Sequence, residues 1–146
     1  MARDLGSYQR AEVMAALATV GMDPAVGIRH APLDGDESYR NHAAGIQPGK
    51  RVAAHTHFVG DEEYVVYAGR GIMHAGSVED RGKHYSIDWH NRPLAAGDRF
   101  IVPAGHAHQL ENNGSEELVF TFGCPDSHLS SDRVMLPDYP IDRAKK

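Results

Sequence analysis

The 146-residue chain has one cysteine, Cys124, so no disulfide can close within it. A lone thiol fits a reducing compartment, and a cytoplasmic protein is expected. No stretch approaches the roughly 18 apolar residues of a membrane span, and Met1 to Gln9 lacks the apolar core of a signal peptide. No membrane association is therefore expected. Basic residues are outnumbered: 15 Lys and Arg face 20 Asp and Glu, for a formal charge of -5. With no Lys/Arg cluster either, the chain lacks the footprint of a nucleic-acid surface. It also lacks a nucleophile elbow, a phosphate loop and a dinucleotide fingerprint. There is no internal repeat, and the length suits a single domain able to bury its own core.

What is present is histidine, ten residues in all, and a set of glycines and prolines at suggestive intervals. One run reads Gly49, five residues, His55-Thr56-His57, four residues, Glu62, six residues, Gly69. Alternate residues of a strand share a face. His55 and His57 therefore project together if Arg51 to Phe58 is a strand. Gly60-Asp61 offers a tight turn, because glycine accepts positive φ and aspartate bonds its own backbone. A hairpin partner from Glu62 to Ala68 would put Glu62 beside the two histidines, with Tyr64 and Val66 on the same face. Glu63 is the rival carboxylate, reached by a one-residue register slip. A second run reads Gly97, five residues, Pro103-Ala104-Gly105, two residues, His108, three residues, Asn112. Pro103 belongs at a strand end or edge, and Asn112-Asn113-Gly114 marks a turn before Leu118.

These two runs resemble, position by position, the two signature motifs of the cupin superfamily. The resemblance covers Gly49 to Asn112 directly, and Ser38 to Gly123 by strand pattern. It implies an all-β fold, the double-stranded β-helix or jelly-roll barrel, with a metal inside one end. Carried over residue by residue, the ligands would be His55, His57, Glu62 and His108. The alternative is a barrel that keeps these side chains for hydrogen bonds alone. Three imidazoles and a carboxylate suit one divalent transition metal, Fe, Zn, Ni, Mn or Co, without choosing among them.

The expected organisation is an N-terminal helical segment (1–24), a β-barrel (25–124) and a C-terminal tail (125–146). Ser7 to Val20 reads as a short helix, capped by Ser7, with Val13, Leu17, Met14 and Val20 packed on the outside of the barrel. Ala25 to Ala31 and Tyr39 to Ile46 read as the first strands, joined by a turn at Asp34-Gly35-Asp36. Further strands are expected at Gly71 to Ala75, Lys83 to Asp88, Arg99 to Val102, Gln109 to Asn112 and Leu118 to Gly123. Gly76 to Gly82 reads as a flexible hairpin tip. The tail is anchored by Leu129, Val134, Met135, Leu136 and Tyr139, and is expected to fray at Arg143-Ala144-Lys145-Lys146.

Tyr64 shares the parity of Glu62 and is a candidate general acid or base, or else a barrel-lining aromatic. His106 is a candidate catalytic residue beside His108, or a solvated turn residue. His74 faces the interior or the exterior according to register. Arg40 and His42, if inward, would form a polar wall able to bind a carboxylate. Cys124 reads as a buried structural thiol. The functional expectation is a metal-dependent enzyme acting on a small polar molecule or biosynthetic intermediate, leaning to dioxygenase-type oxidation. A Lewis-acid lyase, isomerase or cyclase and a non-catalytic small-molecule sensor are the alternatives. By fold analogy the expected partner is a second copy of the chain, as a homodimer.

Overall fold

A computed structural model describes residues 2–140. One short helix, α1 (Arg10–Leu17), precedes β1 (Ile28–Asp36), β2 (Tyr39–Ile46), β3 (His55–Thr56), β4 (Glu62–Ala68) and β5 (Arg70–Asp80). Then come β6 (Tyr85–Ala95), β7 (Arg99–Val102), β8 (His106–Glu111), β9 (Leu118–Cys124), a 3-10 turn at Asp126–Leu129 and β10 (Val134–Met135). The strands form two antiparallel five-stranded sheets, in the orders β1-β2-β9-β4-β7 and β10-β3-β8-β5-β6. This is the all-β double-stranded β-helix that the motifs imply. No helix among the described residues is long and apolar enough to cross a membrane.

Alternation explains the core. Ala44 and Ile46 of β2, Tyr64 and Val66 of β4, and Phe120 and Phe122 of β9 face Met73 of β5 and Leu110 of β8 across the sandwich. Each fully buried Ile, Leu or Met contributes roughly 1.5–3 kcal/mol of apolar transfer. The central strand β9 is buried along its whole length, because α1 covers the other side of its sheet. Val13 and Leu17 of the helix pack on Ala43 and Val119, the residues out of phase with the core. Pro93 lies on β6, at the edge of the second sheet, where a missing amide leaves no ladder bond unmade.

Several boundaries differ from the sequence expectation, for physical reasons. The helix is shorter than Ser7 to Val20: the Glu12 carboxylate accepts the Gln9 amide at 2.9 Å, making Gln9 the cap, while the Ser7 hydroxyl donates to the Asp4 carbonyl. β1 begins at Ile28 and runs on through Asp34-Gly35-Asp36, with a register shift after Pro32, so the turn falls at Glu37-Ser38. The expected flexible tip at Gly76 to Gly82 is mostly strand, since β5 stays paired with β6 as far as Asp80. Asp88 approaches Gly76 so closely that an added Cβ would lie 1.8 Å from its carbonyl oxygen. The tail is anchored on the barrel as expected at Leu136, which packs with Ala54 and Ala107. The fraying expected at Arg143 to Lys146 falls outside the described residues.

The largest correction concerns Arg51 to Ala68. Only His55 and Thr56 of the expected first strand pair in a ladder, with β8 on one side and β10 on the other. β3 and β4 do not form a hairpin. They lie in opposite sheets, and the chain crosses between them through Gly60, whose φ of +81° suits glycine.

Candidate metal centre

The crossing is what assembles the site. His55 stands directly opposite His108 in the β3–β8 ladder, with ring centroids 4.1 Å apart. His57, two residues on, keeps the same face, and its ring lies 4.8 Å from that of His55. Glu62 opens β4 in the facing sheet and reaches across the sandwich. One sheet thus supplies three imidazoles and the other a carboxylate, all buried. Their ligand atoms lie within 4.8 Å of one another. Ligands on opposite sides of an ion with bonds of about 2.1 Å stand about 4.2 Å apart, so the cluster has the size of one coordination sphere. Glu63, the rival carboxylate, pairs with Gly123 and Ile101 on alternate phase and stays outside the group.

Hydrogen bonds fix the histidine tautomers. His55 Nδ1 lies 2.7 Å from the Ala53 carbonyl and His57 Nδ1 lies 2.5 Å from the Asp132 carbonyl. A carbonyl can only accept, so each ring carries its proton on Nδ1 and turns the Nε2 lone pair inward. His57 Nε2 is buried without a hydrogen-bond partner. Burial, with the neighbouring His108, pushes the His55 pKa down to about 3, and burial lowers that of His57. Both rings are therefore neutral at physiological pH, the form that binds a cation. An orphaned, buried, inward-facing nitrogen in a group of three imidazoles and one carboxylate fits a divalent metal.

Glu62 is the hub. His108 Nε2 lies 3.0 Å from its Oε2, and the Tyr64 hydroxyl donates to the same oxygen. Burial opposes its charge, but the bonds from His108 and His128 prevail and hold its carboxyl well below the usual range. The Cys124 thiol also faces it. Burial, with Glu62 next, pushes the thiol pKa up and that of Tyr64 well up. Both shifts favour the protonated forms, and Cys124 is buried as its sequence context suggests.

His128 was not legible in the sequence. It sits in the 3-10 turn, wholly buried, stacked on His57 with centroids 3.9 Å apart and planes 3° from parallel. Its Nδ1 lies 3.2 Å from Glu62 Oε1 and its Nε2 lies 2.6 Å from the Val59 carbonyl. Both partners are acceptors, which favours the doubly protonated ring. Burial opposes that charge, yet Glu62 and Val59 raise the pKa overall. Asp132 adds a second tie from the tail, its carboxylate accepting the Phe58 and Val59 amides at 2.8 Å each. The only signal of these roles in the sequence was a histidine beside Leu129 in a proline-punctuated tail.

The other candidates separate clearly. His106 is half-buried on β8, but its ring lies outside the ligand group and does not line the cavity. His74 faces away from the centre, bonded to Asn91 and Glu111 and packed on Tyr139. Of the suggested polar wall, Arg40 is committed to Asp126, at 3.0 and 3.1 Å. His42 does face inward, stacked on Phe122 at 4.7 Å, with both ring nitrogens buried and unpartnered. Burial, with His30 nearby, lowers its pKa. A cavity of about 700 Å³ opens onto His55, Glu62 and Tyr64.

The chain matches the cupin family over residues 44–135, and it belongs to that family. No curated protein sequence matches it. Among solved structures, an uncharacterized conserved protein with a double-stranded β-helix domain from Klebsiella pneumoniae superposes with a TM-score of 0.64 at 19% identity. The match covers 86% of this chain and 95% of that one. A Bacillus subtilis oxalate decarboxylase with Mn(II) centres gives a TM-score of 0.60 at 23% identity, over 82% of this chain but only 31% of the enzyme. A predicted oxalate decarboxylase from Thermotoga maritima gives 0.54 at 24% identity, over 75% of this chain and 81% of that one. At such identities the likeness is one of fold.

Proposed function

We propose that this cupin is a metal-dependent enzyme holding one divalent transition metal, Fe, Zn, Ni, Mn or Co, on His55, His57, Glu62 and His108. The observation that carries the reading is the buried, unpartnered Nε2 of His57, aimed into the group while its Nδ1 is locked by the Asp132 carbonyl. Bound there, such an ion supplies Lewis acidity or, as iron, oxidative chemistry on a small molecule in the adjoining cavity.

The chain's own residues prepare the ground. The Ala53 and Asp132 carbonyls orient two rings, His128 and Tyr64 orient Glu62, and all of these side chains are buried. Dioxygenase-type oxidation is the first chemistry to test. The Tyr64 phenol is committed to Glu62, which disfavours the free acid or base that a lyase or isomerase needs. His106 retains no role in this reading, because its ring lies off the cavity. The reading includes a homodimer, which the sedimentation coefficient of the purified chain checks.

The deciding experiment is elemental analysis of protein purified without oxygen and without a histidine tag, followed by oxygen uptake with candidate substrates. Near-stoichiometric iron with substrate-dependent uptake supports oxidation, and bound zinc or nickel with no uptake redirects the reading to Lewis-acid chemistry. His55→Ala and His108→Ala are each expected to lose the metal. Full retention in both variants refutes the site.

A further inference from the structure

The cavity that meets the metal group is large and predominantly apolar, with Asp23, Asp138 and three arginines also on its lining. Its volume of about 700 Å³ falls among the roughly 300–1,000 Å³ pockets that enclose whole organic ligands. It is far larger than a two-carbon dicarboxylate needs. Ile28, Phe120 and Phe122 form the wall, while Val26 and Leu129, 50% and 40% exposed, form apolar lips. Exposed apolar side chains around a deep apolar recess mark a place where an apolar group is received.

Three arginines line the same cavity, and two are committed. Arg29 is paired with Glu117 at 2.7 Å, and Arg51 reaches Asp138 at 3.5 Å. Arg133 has no ion-pair or hydrogen-bond partner among the described residues. Its backbone is nonetheless held on both sides. The Asp132 carbonyl bonds to His57, and Val134 pairs with Thr56. Arg133 immediately precedes β10, whose Val134 packs with Ala54, Ala107 and Leu136, and it lines the cavity. A guanidinium without a partner, on a fixed backbone beside an apolar recess, is matched by a carboxylate, which it can bind bidentately. Each carboxylate on the cavity lining already has a donor: Glu62 accepts from His108, His128 and Tyr64, Asp138 from the Ala54 amide beside Arg51, and Asp23 from the Ala25 amide.

We propose that the cavity binds an amphipathic carboxylate, its apolar body against Phe120 and Phe122 and its carboxylate on Arg133. As the substrate class of the centre described above, this ligand presupposes the metal reading, although Arg133 and the apolar wall stand without it.

The test uses 3-phenylpropanoate, the matching alcohol 3-phenylpropanol, and oxalate, titrated calorimetrically into metal-free and zinc-loaded protein. In the metal-free protein the acid is expected to bind on the order of ten-fold more tightly than the alcohol, the strength of one charge-assisted contact. It is also expected to exceed oxalate by at least about ten-fold, the effect of burying several methylene groups. Arg133→Gln should erase the difference between acid and alcohol while leaving the alcohol unchanged, and Arg133→Lys should keep part of it. Arg133 is exposed, so these variants are expected to fold. Equal binding of acid and alcohol, oxalate binding as tightly as the acid, no binding of the acid, or an unchanged preference in Arg133→Gln each overturns the proposal. Metal analysis separates the two failures. A protein that takes up no metal but shows Arg133-dependent binding refutes only the metal reading. One that takes up metal normally but is indifferent to Arg133→Gln refutes only the carboxylate assignment.

Discussion

Replacing His128 with phenylalanine is the sharpest single perturbation of the site. The substitution keeps a flat ring stacked on His57 and removes both polar atoms. Two acceptors then lose their partner inside the protein: Glu62 Oε1, now 3.2 Å from Nδ1, and the Val59 carbonyl, now 2.6 Å from Nε2. Each orphaned group costs roughly 1–3 kcal/mol, and breaking a buried charge pair by removing one member typically costs about 3–5 kcal/mol. The metal-free His128→Phe protein is therefore expected to lose about 3–5 kcal/mol, seen as a lower urea midpoint at unchanged slope. His128→Ala should lose about 1–2 kcal/mol more, because a cavity replaces the ring. If Glu62 depends on His128 for its orientation, both variants should also bind zinc about 10–100-fold more weakly in chelator competition, the usual effect of losing a group that positions a ligand. A loss below about 1 kcal/mol in both variants, with zinc affinity intact, would show that the His128 contacts contribute nothing to the centre.

Three further outcomes are expected. In the metal-free protein, stability should fall as pH drops from about 6.5 toward 3, because His55, with its folded pKa near 3, must stay neutral while the unfolded chain takes up the proton. His57 acts in the same direction, and so does Glu62 below its unfolded value of 4.5. His128, with its raised folded pKa, acts oppositely and loses its contribution as pH climbs above 6.5. Urea midpoints across pH should thus peak near neutrality, and a flat profile between pH 4 and 7 would contradict the assignment. Gly76→Ala, whose Cβ would meet the Asp88 carbonyl at 1.8 Å, should cost about 1–3 kcal/mol by thermal or urea melting. Cys124, with no exposed surface, should resist maleimide in the folded protein and react at once in urea, as mass spectrometry would show.

The parts of the fold legible in the sequence were those set by alternation and punctuation. β2, β4 and β7 begin and end where the pattern of apolar residues, Gly and Pro places them. The ligand parity of His55, His57 and Glu62 was legible for the same reason. Period two tells which residues share a face, but not which strand lies alongside. Hence the hairpin reading of Arg51 to Ala68 failed although its side chains point as expected. The facing of His74 stayed open for the same reason: its parity was ambiguous until β5 was registered against β8, where Ala75 and not His74 lies opposite His108. The contribution of His128 and Asp132 was hidden more deeply. No periodicity links residue 128 to residue 62, and their meeting depends on how an irregular tail returns across the barrel end.

That return has a thermodynamic corollary. Binding of an ion by His57 and Glu62 and docking of the tail through Asp132 and His128 act on the same two side chains. Such equilibria are reciprocal: whatever the docked tail adds to affinity for the ion, the ion returns as adhesion of the tail. Chelation should therefore accelerate hydrogen exchange in the amides of Ser127 to Leu136 more than in β9, whose seven buried residues lie in the middle of their sheet. The segment from Ser127 to Leu136 thus becomes a reporter of ion occupancy, readable by mass spectrometry.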